Sequence, residues 1–320
     1  MLAPTTRLRI AVLGYLVRGP IGGMAWHHLN YVIGLRQLGH QVLFVEDSDD
    51  YPACYDPRTH TMGTRADYGI AFADQAFHRL GMGNDWAYHD AHQSVWLGPA
   101  AERAVRFCET ADIVFNISGV NPLRSWLTGI PRRVFVDTDP AFTQLKSLAS
   151  ADFRALIESH TAHFSFGELI PTGSTGVPSD GIDWHATRQP IALEAWPFDP
   201  HGGRRYTTVM QWQSYPPIQY DGHFYGTKQE SFALIEALPH RVPNELEVAL
   251  GGASAPRTRL SEAGWRLRDP IEVAPDPWQY QQYIQQSRGG LSVAKHGYAT
   301  TRCGWFSDRS ACYLASGRPV

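Results

Sequence analysis

The first 46 residues constrain the fold more than any other part of the chain. Residues 8–15 form a continuous apolar run bounded by charge and glycine, which is typical of a strand buried on both faces of a parallel sheet. A glycine-rich turn at 18–23 leads into a segment with apolar residues at helical spacing, and this segment ends at Gly39. A second apolar strand, 41–46, follows at once. This order predicts a right-handed βαβ unit, so the N-terminal part is predicted to be Rossmann-like.

The same alternation of strands and helices recurs along the rest of the chain. Before residue 170 we predict strands at 113–117, 133–136 and 163–166 and helices at 71–80 and 141–159. Residues 171–200 are rich in proline, glycine, serine and tryptophan without periodicity, which indicates an ordered linker. Beyond it the pattern restarts, with strands at 206–211, 247–251 and 290–294 and helices at 228–238, 255–263, 278–286 and 308–315.

The sequence therefore predicts two domains, an N-terminal domain with its linker at 1–200 and a C-terminal domain at 201–320. The length of 320 residues is about twice that of a usual single domain, which favours the same division. Residues 316–320 have the pattern of a helix stop followed by the first residue of another strand. We therefore expect the second domain to be truncated at its C-terminal side.

The composition limits which binding partners and which cellular compartment are expected. The net charge of -3 provides no basic field that would neutralise a phosphate backbone, so nucleic acid is not an expected partner. Cys54, Cys108, Cys303 and Cys312 are widely spaced and form no Cys-x-x-Cys pair, which favours reduced thiols over disulfides or a zinc site. No apolar run is long enough to cross a bilayer. These features predict a cytoplasmic protein, without a transmembrane segment, that acts on small molecules.

The first glycine-rich turn carries the earliest candidate site residues. Its glycines lack the Gly-x-Gly-x-x-Gly spacing of dinucleotide sites, which disfavours a redox Rossmann enzyme. Gly22 and Gly23 instead lead into a helix N-terminus, where small residues permit the close approach of a ligand and suit an acceptor-side loop. His27 and His28 follow in the first turn of that helix. A histidine titrates near neutral pH, so we take His28, ahead of His27, as a candidate general base.

Two segments resemble glycosyltransferases of the GT-B architecture. Residues 22–28 (GGMAWHH) and 39–45 (GHQVLFV) are similar to their N-terminal unit, and residues 292–298 and 304–320 are similar to their donor-binding segment. An uncharacterised bacterial glycosyltransferase-like group also shows the motifs at 136–140 (VDTDP), 166–168 (FGE), 187–190 (TRQP) and 225–228 (YGTK). The resemblance implies two Rossmann-like domains facing across a cleft, with a nucleotide-sugar donor bound in that cleft.

The resemblance also implies how the donor is held. In GT-B enzymes the diphosphate binds without an obligatory metal, at helix N-termini and basic side chains of the second domain. Lys228 opens a predicted helix and Lys295 follows a predicted strand, so both are expected to point into one crevice. Further donor-binding candidates lie at the cap and first turn of the last helix: Ser307, Asp308, Arg309 and Ser310.

Carboxylates at strand ends are additional candidates for the base. Asp137 and Glu168 each follow an apolar strand at its carboxyl end, where a side chain reaches the floor of a cleft. A partly desolvated carboxylate there can take the proton of an acceptor hydroxyl. Asp139 follows the same strand as Asp137 and is a further candidate base, but because it precedes Pro140 we favour a helix cap for it.

Two features limit the chemistry. Many retaining GT-B enzymes carry two glutamates eight positions apart, and the matching positions here are Gly304 and Cys312, so the stereochemical course stays open. His89, Asp90 and His92 have a weakly metal-like spacing but lack a third ligand of known position, so we predict a solvated loop and no metal site.

These patterns together predict a glycosyltransferase that moves a sugar from a nucleotide-sugar donor to an acceptor hydroxyl or amine. No cofactor is expected, since the nucleotide sugar is itself a substrate. Two alternatives stay open: a nucleotide-sugar epimerase on the same fold, and a non-catalytic module that binds a sugar or a nucleotide.

Overall fold

A computed structural model describes residues 6–320 as a succession of strands and helices. The strands are β1 Arg9–Leu13, β2 Gln41–Asp47, β3 Cys54–Asp56, β4 Thr61–Gly63, β5 Trp86–Asp90, β6 Val95–Leu97, β7 Ile113–Ile117, β8 Arg132–Asp137, β9 Ala162–Ser165, β10 Trp184–Ala186, β11 Tyr206–Gln211, β12 Ile218–Tyr220, β13 His223–Tyr225, β14 Leu246–Gly251, β15 Arg266–Arg268 and β16 Gly289–Gly290. The helices are α1 Gly22–Gln37, α2 Asp67–Arg79, α3 Ala104–Glu109, α4 Ser125–Thr128, α5 Phe142–Ala149, α6 Ala151–Glu158, α7 Lys228–Phe232, α8 Arg257–Glu262, α9 Pro270–Val273, α10 Pro277–Gln285, α11 His296–Thr301 and α12 Asp308–Ala315.

Two sheets organise these elements. The first has eight strands in the order β10-β9-β8-β7-β1-β2-β5-β6, all parallel to their neighbours except for the antiparallel pair β5 and β6. The second has four parallel strands in the order β15-β14-β11-β16. The predicted α/β class with a large parallel sheet is confirmed. The first sheet uses strands up to residue 186, and the second uses strands from residue 206 onward.

Each sheet has one point at which the strand order reverses. In the first sheet the chain moves outward from β1 to β2 and β5, and then returns to the other side of β1 with β7. In the second sheet it moves from β11 to β14 and β15, and returns to the other side of β11 with β16. Loops that leave such a reversal point in opposite directions open a crevice at the carboxyl ends of the strands, where α/β proteins bind ligands.

The two sheets share a continuous apolar core. The indole of Trp26 on α1 donates to the carbonyl of Pro277 at 2.5 Å, and its ring lies 4.9 Å from the ring of Trp196 in the connecting segment. Gly22 packs against the start of α10, where an added Cβ would lie 2.3 Å from the carbonyl oxygen of Asp276. The first turn of α1 is therefore glycine-rich because it meets another backbone, which corrects our interpretation of Gly22 as a place for ligand approach.

Several predicted elements differ from the structure. The strands at 113–117 and 206–211 and the helix at 308–315 are confirmed to the residue. The predicted helix at 141–159 is wrong as one element, because Ser150 adopts extended backbone and caps α6 by accepting from the amide of Phe153. The prediction of a loop around His89 is also wrong, since His89 and Asp90 belong to β5. The predicted helix at 228–238 ends at Phe232.

Two hairpins were absent from the sequence prediction. The hairpin β3–β4 lies beside the first crevice, and the amide of Tyr55 donates to the carbonyl of Arg18 at 2.9 Å. The hairpin β12–β13 turns through Asp221 and Gly222, both with positive φ, and packs against α5. Both hairpins consist of strands of three residues, too short to leave a periodic signal.

Candidate active site

A cleft forms where loops from the carboxyl ends of both sheets meet. Its central cavity has a volume of about 400 Å³ and is lined by Ser118 after β7, by Gln211 at the end of β11 and by Lys295 after β16. An adjoining cavity of about 600 Å³ extends beneath the β3–β4 hairpin to the ends of β14 and β15. The two cavities have four lining residues in common: Ile21, Gln211, Pro270 and Ala274. They form one elongated cleft at the reversal points of both sheets.

Lys228 is a cation of this cleft that has no counter-ion among the described residues. It opens α7 behind the N-cap Thr227, and its side chain lines the central cavity. Within residues 6–320 it makes no salt bridge and no hydrogen bond through its ammonium group. Burial, together with the positive charges of Arg309 and Lys295, lowers the pKa of Lys228 to about 7. An anion in the cavity would relieve both effects.

Lys295 is held in a polar cluster that joins the two halves of the molecule. Its ammonium donates to both carboxylate oxygens of Asp139 at 2.8 Å and to the hydroxyl of Tyr215 at 2.7 Å. The hydroxyls of Tyr215 and Tyr298 also donate to Asp139, and burial together with this carboxylate raises the pKa of both phenols. The interpretation of Asp139 as a helix cap is wrong, because its side chain binds Lys295, which lies 156 positions away.

His27 faces the central cavity and His28 does not. The Nδ1 atom of His27 lies 3.6 Å from a carboxylate oxygen of Asp308, so a residue of α1 meets a residue of α12 across the cleft. Burial raises the pKa of Asp308, but contact with His27 and the charges of His27 and Arg309 outweigh burial and hold this pKa well below its usual range. With Nδ1 turned to the carboxylate, the other ring nitrogen of His27 is the one oriented to accept a proton.

His28 is enclosed in the core. It has 0% exposure, burial lowers its pKa well below the usual value, and neither ring nitrogen has a hydrogen-bond partner among the described residues. Our preference for His28 over His27 therefore conflicts with the placement of the two rings. Adjacent residues on a helix point about 100° apart, so only one of them could face the cleft.

Asp137 also lies below the surface of the cleft. Its carboxylate is 1% exposed and accepts hydrogen bonds from Ser165 and Thr143, both at 2.6 Å, and from Gln144 at 3.1 Å. Burial raises the pKa of Asp137, although these hydrogen bonds oppose the shift. This carboxylate organises the loop after β8, and it does not reach an acceptor in the cleft.

Glu168 lies outside the central cavity. Its two oxygens accept from the guanidinium of Arg188 at 2.6 and 2.9 Å, and this contact lowers its pKa. Both residues line a third cavity of about 650 Å³. Trp305 lines both that cavity and the central one.

The start of α12 places two of its four candidate residues in the cleft. Asp308 and Arg309 line the central cavity, and Arg309 also donates to the carbonyl of Val209 at 2.6 Å. Ser307 and Ser310 are 3% and 4% exposed and lie beneath that surface. The backbone N–H groups of this first helical turn and the positive end of the helix dipole complete a surface suited to an anion.

The structure explains why Gly304 and Cys312 occupy the two positions at which many retaining GT-B enzymes carry glutamates. Gly304 has φ 81°, and an added Cβ would lie 3.0 Å from the backbone nitrogen of Leu169, so a side chain is disfavoured there. Cys312 is buried, and burial raises the pKa of its thiol well above the usual value. Of the two glycines in the acceptor-side loop, Gly23 lines the central cavity, where the ring of Tyr280 also contacts it.

Comparisons with known proteins identify the fold. No family model and no curated protein matches the sequence. Among solved structures, an alpha-glucosyltransferase in complex with UDP and a 13-mer DNA containing a central A:G mismatch matches at TM-score 0.54 and 11% identity, over 98% of this chain and 78% of that chain. An alpha-glucosyltransferase in complex with UDP-glucose and DNA containing an abasic site matches at TM-score 0.54 and 10% identity, over 98% and 79%. One in complex with UDP alone matches at TM-score 0.53 and 10% identity, over 98% and 80%.

These similarities confirm a glycosyltransferase-type fold and correct one prediction. Excluding nucleic acid as a partner was wrong, because chains of this fold are solved with DNA bound. The net charge used for that prediction sums the whole surface, and it does not report the potential inside one cleft. In the part of the chain that the structure describes, no helix is long and apolar enough to cross a membrane. The same residues contain no group of three or more side chains placed to hold a metal ion.

Proposed function

We propose that this protein transfers a sugar from a nucleotide-sugar donor to an acceptor hydroxyl or amine in the cleft. The observation that carries the proposal is the unpaired ammonium of Lys228, which lines the central cavity beside Arg309 and Lys295. The two carboxylates at the central cavity are already paired, since Asp139 binds Lys295 and Asp308 faces His27. This leaves an excess of positive charge, which matches the diphosphate of a nucleotide sugar.

The cleft has room for the rest of the donor on either side of that charge. The diphosphate would lie against Lys228, Arg309 and the first turn of α12. The nucleoside would occupy the 600 Å³ cavity, where Tyr55 and Tyr68 offer aromatic surfaces opposite the backbone of residues 251–253. The sugar would then point the other way, towards Trp305.

In the reaction, the acceptor oxygen or nitrogen forms a bond to the anomeric carbon of the sugar. The bond between that carbon and the phosphate oxygen breaks, and the nucleoside diphosphate leaves with the electron pair. The acceptor proton passes to His27, whose ring Asp308 orients. Lys228 and Arg309 stabilise the negative charge that develops on the departing diphosphate.

Two acceptor classes deserve separate assays. The similar structures that hold DNA make DNA one candidate acceptor. Hydroxyl-bearing small molecules are the other, because aromatic and polar side chains line the central cavity. An assay of each nucleotide sugar without acceptor also separates transfer from epimerisation, since an epimerase would convert the donor sugar with no acceptor present.

The test of the donor site uses the small number of lysines in the chain, which are Lys146, Lys228 and Lys295. Isothermal titration of the wild type with UDP, ADP and GDP should identify one nucleotide that binds. Lys228→Met should weaken this binding by about 10- to 100-fold, the effect of losing a charge-assisted hydrogen bond of roughly 1.5–3 kcal/mol. Lys146→Met, outside the cleft, should leave it unchanged. Equal affinity in both variants would contradict the assignment.

A further inference from the structure

The third cavity adjoins the proposed reaction cleft at Trp305. Trp305 lines both cavities, and its ring lies 4.5 Å from the ring of Tyr298 on the cleft side. Tyr298 in turn donates to Asp139 in the cluster around Lys295. A molecule in the third cavity would therefore sit beside the place where the donor sugar is proposed to lie.

The third cavity exposes apolar and aromatic surface. Phe306 is 43% exposed and Leu169 is 38% exposed, and both line the cavity next to Trp305. The backbone holds this surface in place, because the amide of Leu169 donates to the carbonyl of Cys303 at 3.0 Å. The exposed ring of Phe306 and the half-buried ring of Trp305 provide a platform for the flat, apolar face of a ring.

The same cavity carries paired polar groups that are open to solvent. Glu168 and Arg188 form a two-point ion pair, and their side chains are 32% and 77% exposed. Among the described residues, Arg188 makes no hydrogen bond other than these two, so its guanidinium keeps further donors for a ligand. Contact with Arg188 lowers the pKa of Glu168, which therefore stays an acceptor of hydrogen bonds at neutral pH.

We infer that this cavity is the acceptor subsite and that the acceptor is a carbohydrate, a sugar or glycoside. Its ring would pack on Trp305 and Phe306, and its hydroxyls would bond to Glu168 and Arg188. An uncharged polyol satisfies both partners of the ion pair, whereas a phosphate would meet the carboxylate of Glu168. This inference rests on the proposed function, and it names the class of acceptor for that reaction.

The experiment uses the full chain with two separate readouts. The first is transfer from the nucleotide sugar to a set of methyl and p-nitrophenyl hexosides, measured as nucleoside diphosphate released. The second is direct binding of the same glycosides without donor, measured by saturation-transfer NMR. Phe306→Ala and Arg188→Gln are the test variants. Phe198→Ala, another exposed aromatic, and Arg259→Gln, another exposed ion-paired arginine, are the matched controls.

We expect at least one glycoside to be a substrate. Phe306→Ala and Arg188→Gln should each raise its KM by about tenfold, since each removes one aromatic or charge-assisted contact. The Kd for the nucleoside diphosphate should stay as in the wild type, and the controls should change neither value. Unchanged KM in both test variants would overturn the inference, as would transfer to DNA with none to any glycoside.

Failure of the proposed function gives a different result. If the wild type binds no nucleotide but binds a glycoside, and Phe306→Ala weakens that binding, the carbohydrate subsite stands and the transferase proposal falls. If nucleotide binding and turnover are present and no glycoside binds, the transferase proposal stands and the subsite falls.

Discussion

Two charged groups near the cleft, Glu46 and Lys228, differ in whether they have a partner within the protein. At the end of β2, Glu46 is fully buried and accepts from the backbone amides of Leu16, Val17 and Arg18 at 2.6–2.7 Å. Arg18, also fully buried, lies 3.4 Å from it as a counter-charge. In the central cavity Lys228 has no such partner among the described residues. Glu46 is thus paired within the protein, whereas Lys228 has a charge to share with a ligand.

Whether a buried charged side chain has a partner distinguishes a structural role from a ligand-binding role better than the residue type does. A buried carboxylate whose oxygens are all bonded fixes the loop that donates to it. A desolvated ammonium with no partner costs stability, and it persists where a ligand repays that cost. Glu46 and Asp137 belong to the first class and Lys228 to the second. The predictions for Glu46 and Lys228 test whether these two classes are assigned correctly. The prediction for His27 tests the proposed general base.

The largest effect is expected at Glu46. Glu46→Ala removes the acceptor of three backbone amides and leaves Arg18 buried without a counter-charge, so the free energy of unfolding should fall by about 3–5 kcal/mol. Glu158→Ala, which breaks an exposed pair with Arg154, should cost less than about 1 kcal/mol. Urea unfolding measures both. Similar small losses in the two variants would show that Glu46 does not hold the loop.

The next effect is expected at His27. His27→Gln keeps a polar side chain but removes the proton acceptor, so turnover should fall by about 100-fold, the lower range for a general base. The Kd for the nucleoside diphosphate should change little. His92→Gln, an exposed histidine outside the cleft, is the control. Wild-type turnover in His27→Gln would remove His27 from the mechanism.

The smallest effect concerns stability and pH. The pKa of Lys228 is lowered to about 7, so the unfolded chain holds more protons between pH 7 and about pH 10.4, and stability rises with pH across that window. Lys228→Met should therefore be more stable than the wild type below pH 7, and thermal unfolding should show this as a higher Tm of the variant. The difference in Tm between the variant and the wild type should disappear towards pH 10. A constant difference at every pH would contradict the lowered pKa.

Much of the fold was predictable because periodicity is local. The strands at 113–117 and 206–211 and the helix at 308–315 each carry a full apolar pattern, so their bounds follow from sequence alone. The strand Trp86–Asp90 was missed because its polar end resembles a loop. The predicted strand at 290–294 has the wrong bounds, because only Gly289 and Gly290 pair and the chain then leaves the sheet.

The site was less predictable because its contacts are distant in sequence. Lys228, Lys295, Asp308 and Arg309 were predicted by resemblance, and all four line the cleft. The pairing of Lys295 with Asp139 spans 156 positions, and no local pattern indicates it. The choice between His27 and His28 depends on which face of α1 meets the core, and this helix is apolar on more than one face. Both the Lys295–Asp139 pair and the orientation of the two histidines depend on tertiary packing, which local sequence patterns do not indicate.

The most direct test of the donor site is the reactivity of its lysines. The chain has only Lys146, Lys228 and Lys295, so acylation by an amine-reactive ester can be followed site by site by mass spectrometry across a pH range. Lys228 should react with a midpoint near pH 7, and the nucleoside diphosphate that binds should protect it while Lys146 keeps its rate. If Lys228 reacts equally with and without UDP, ADP and GDP, the cleft does not hold a nucleotide and the account is wrong.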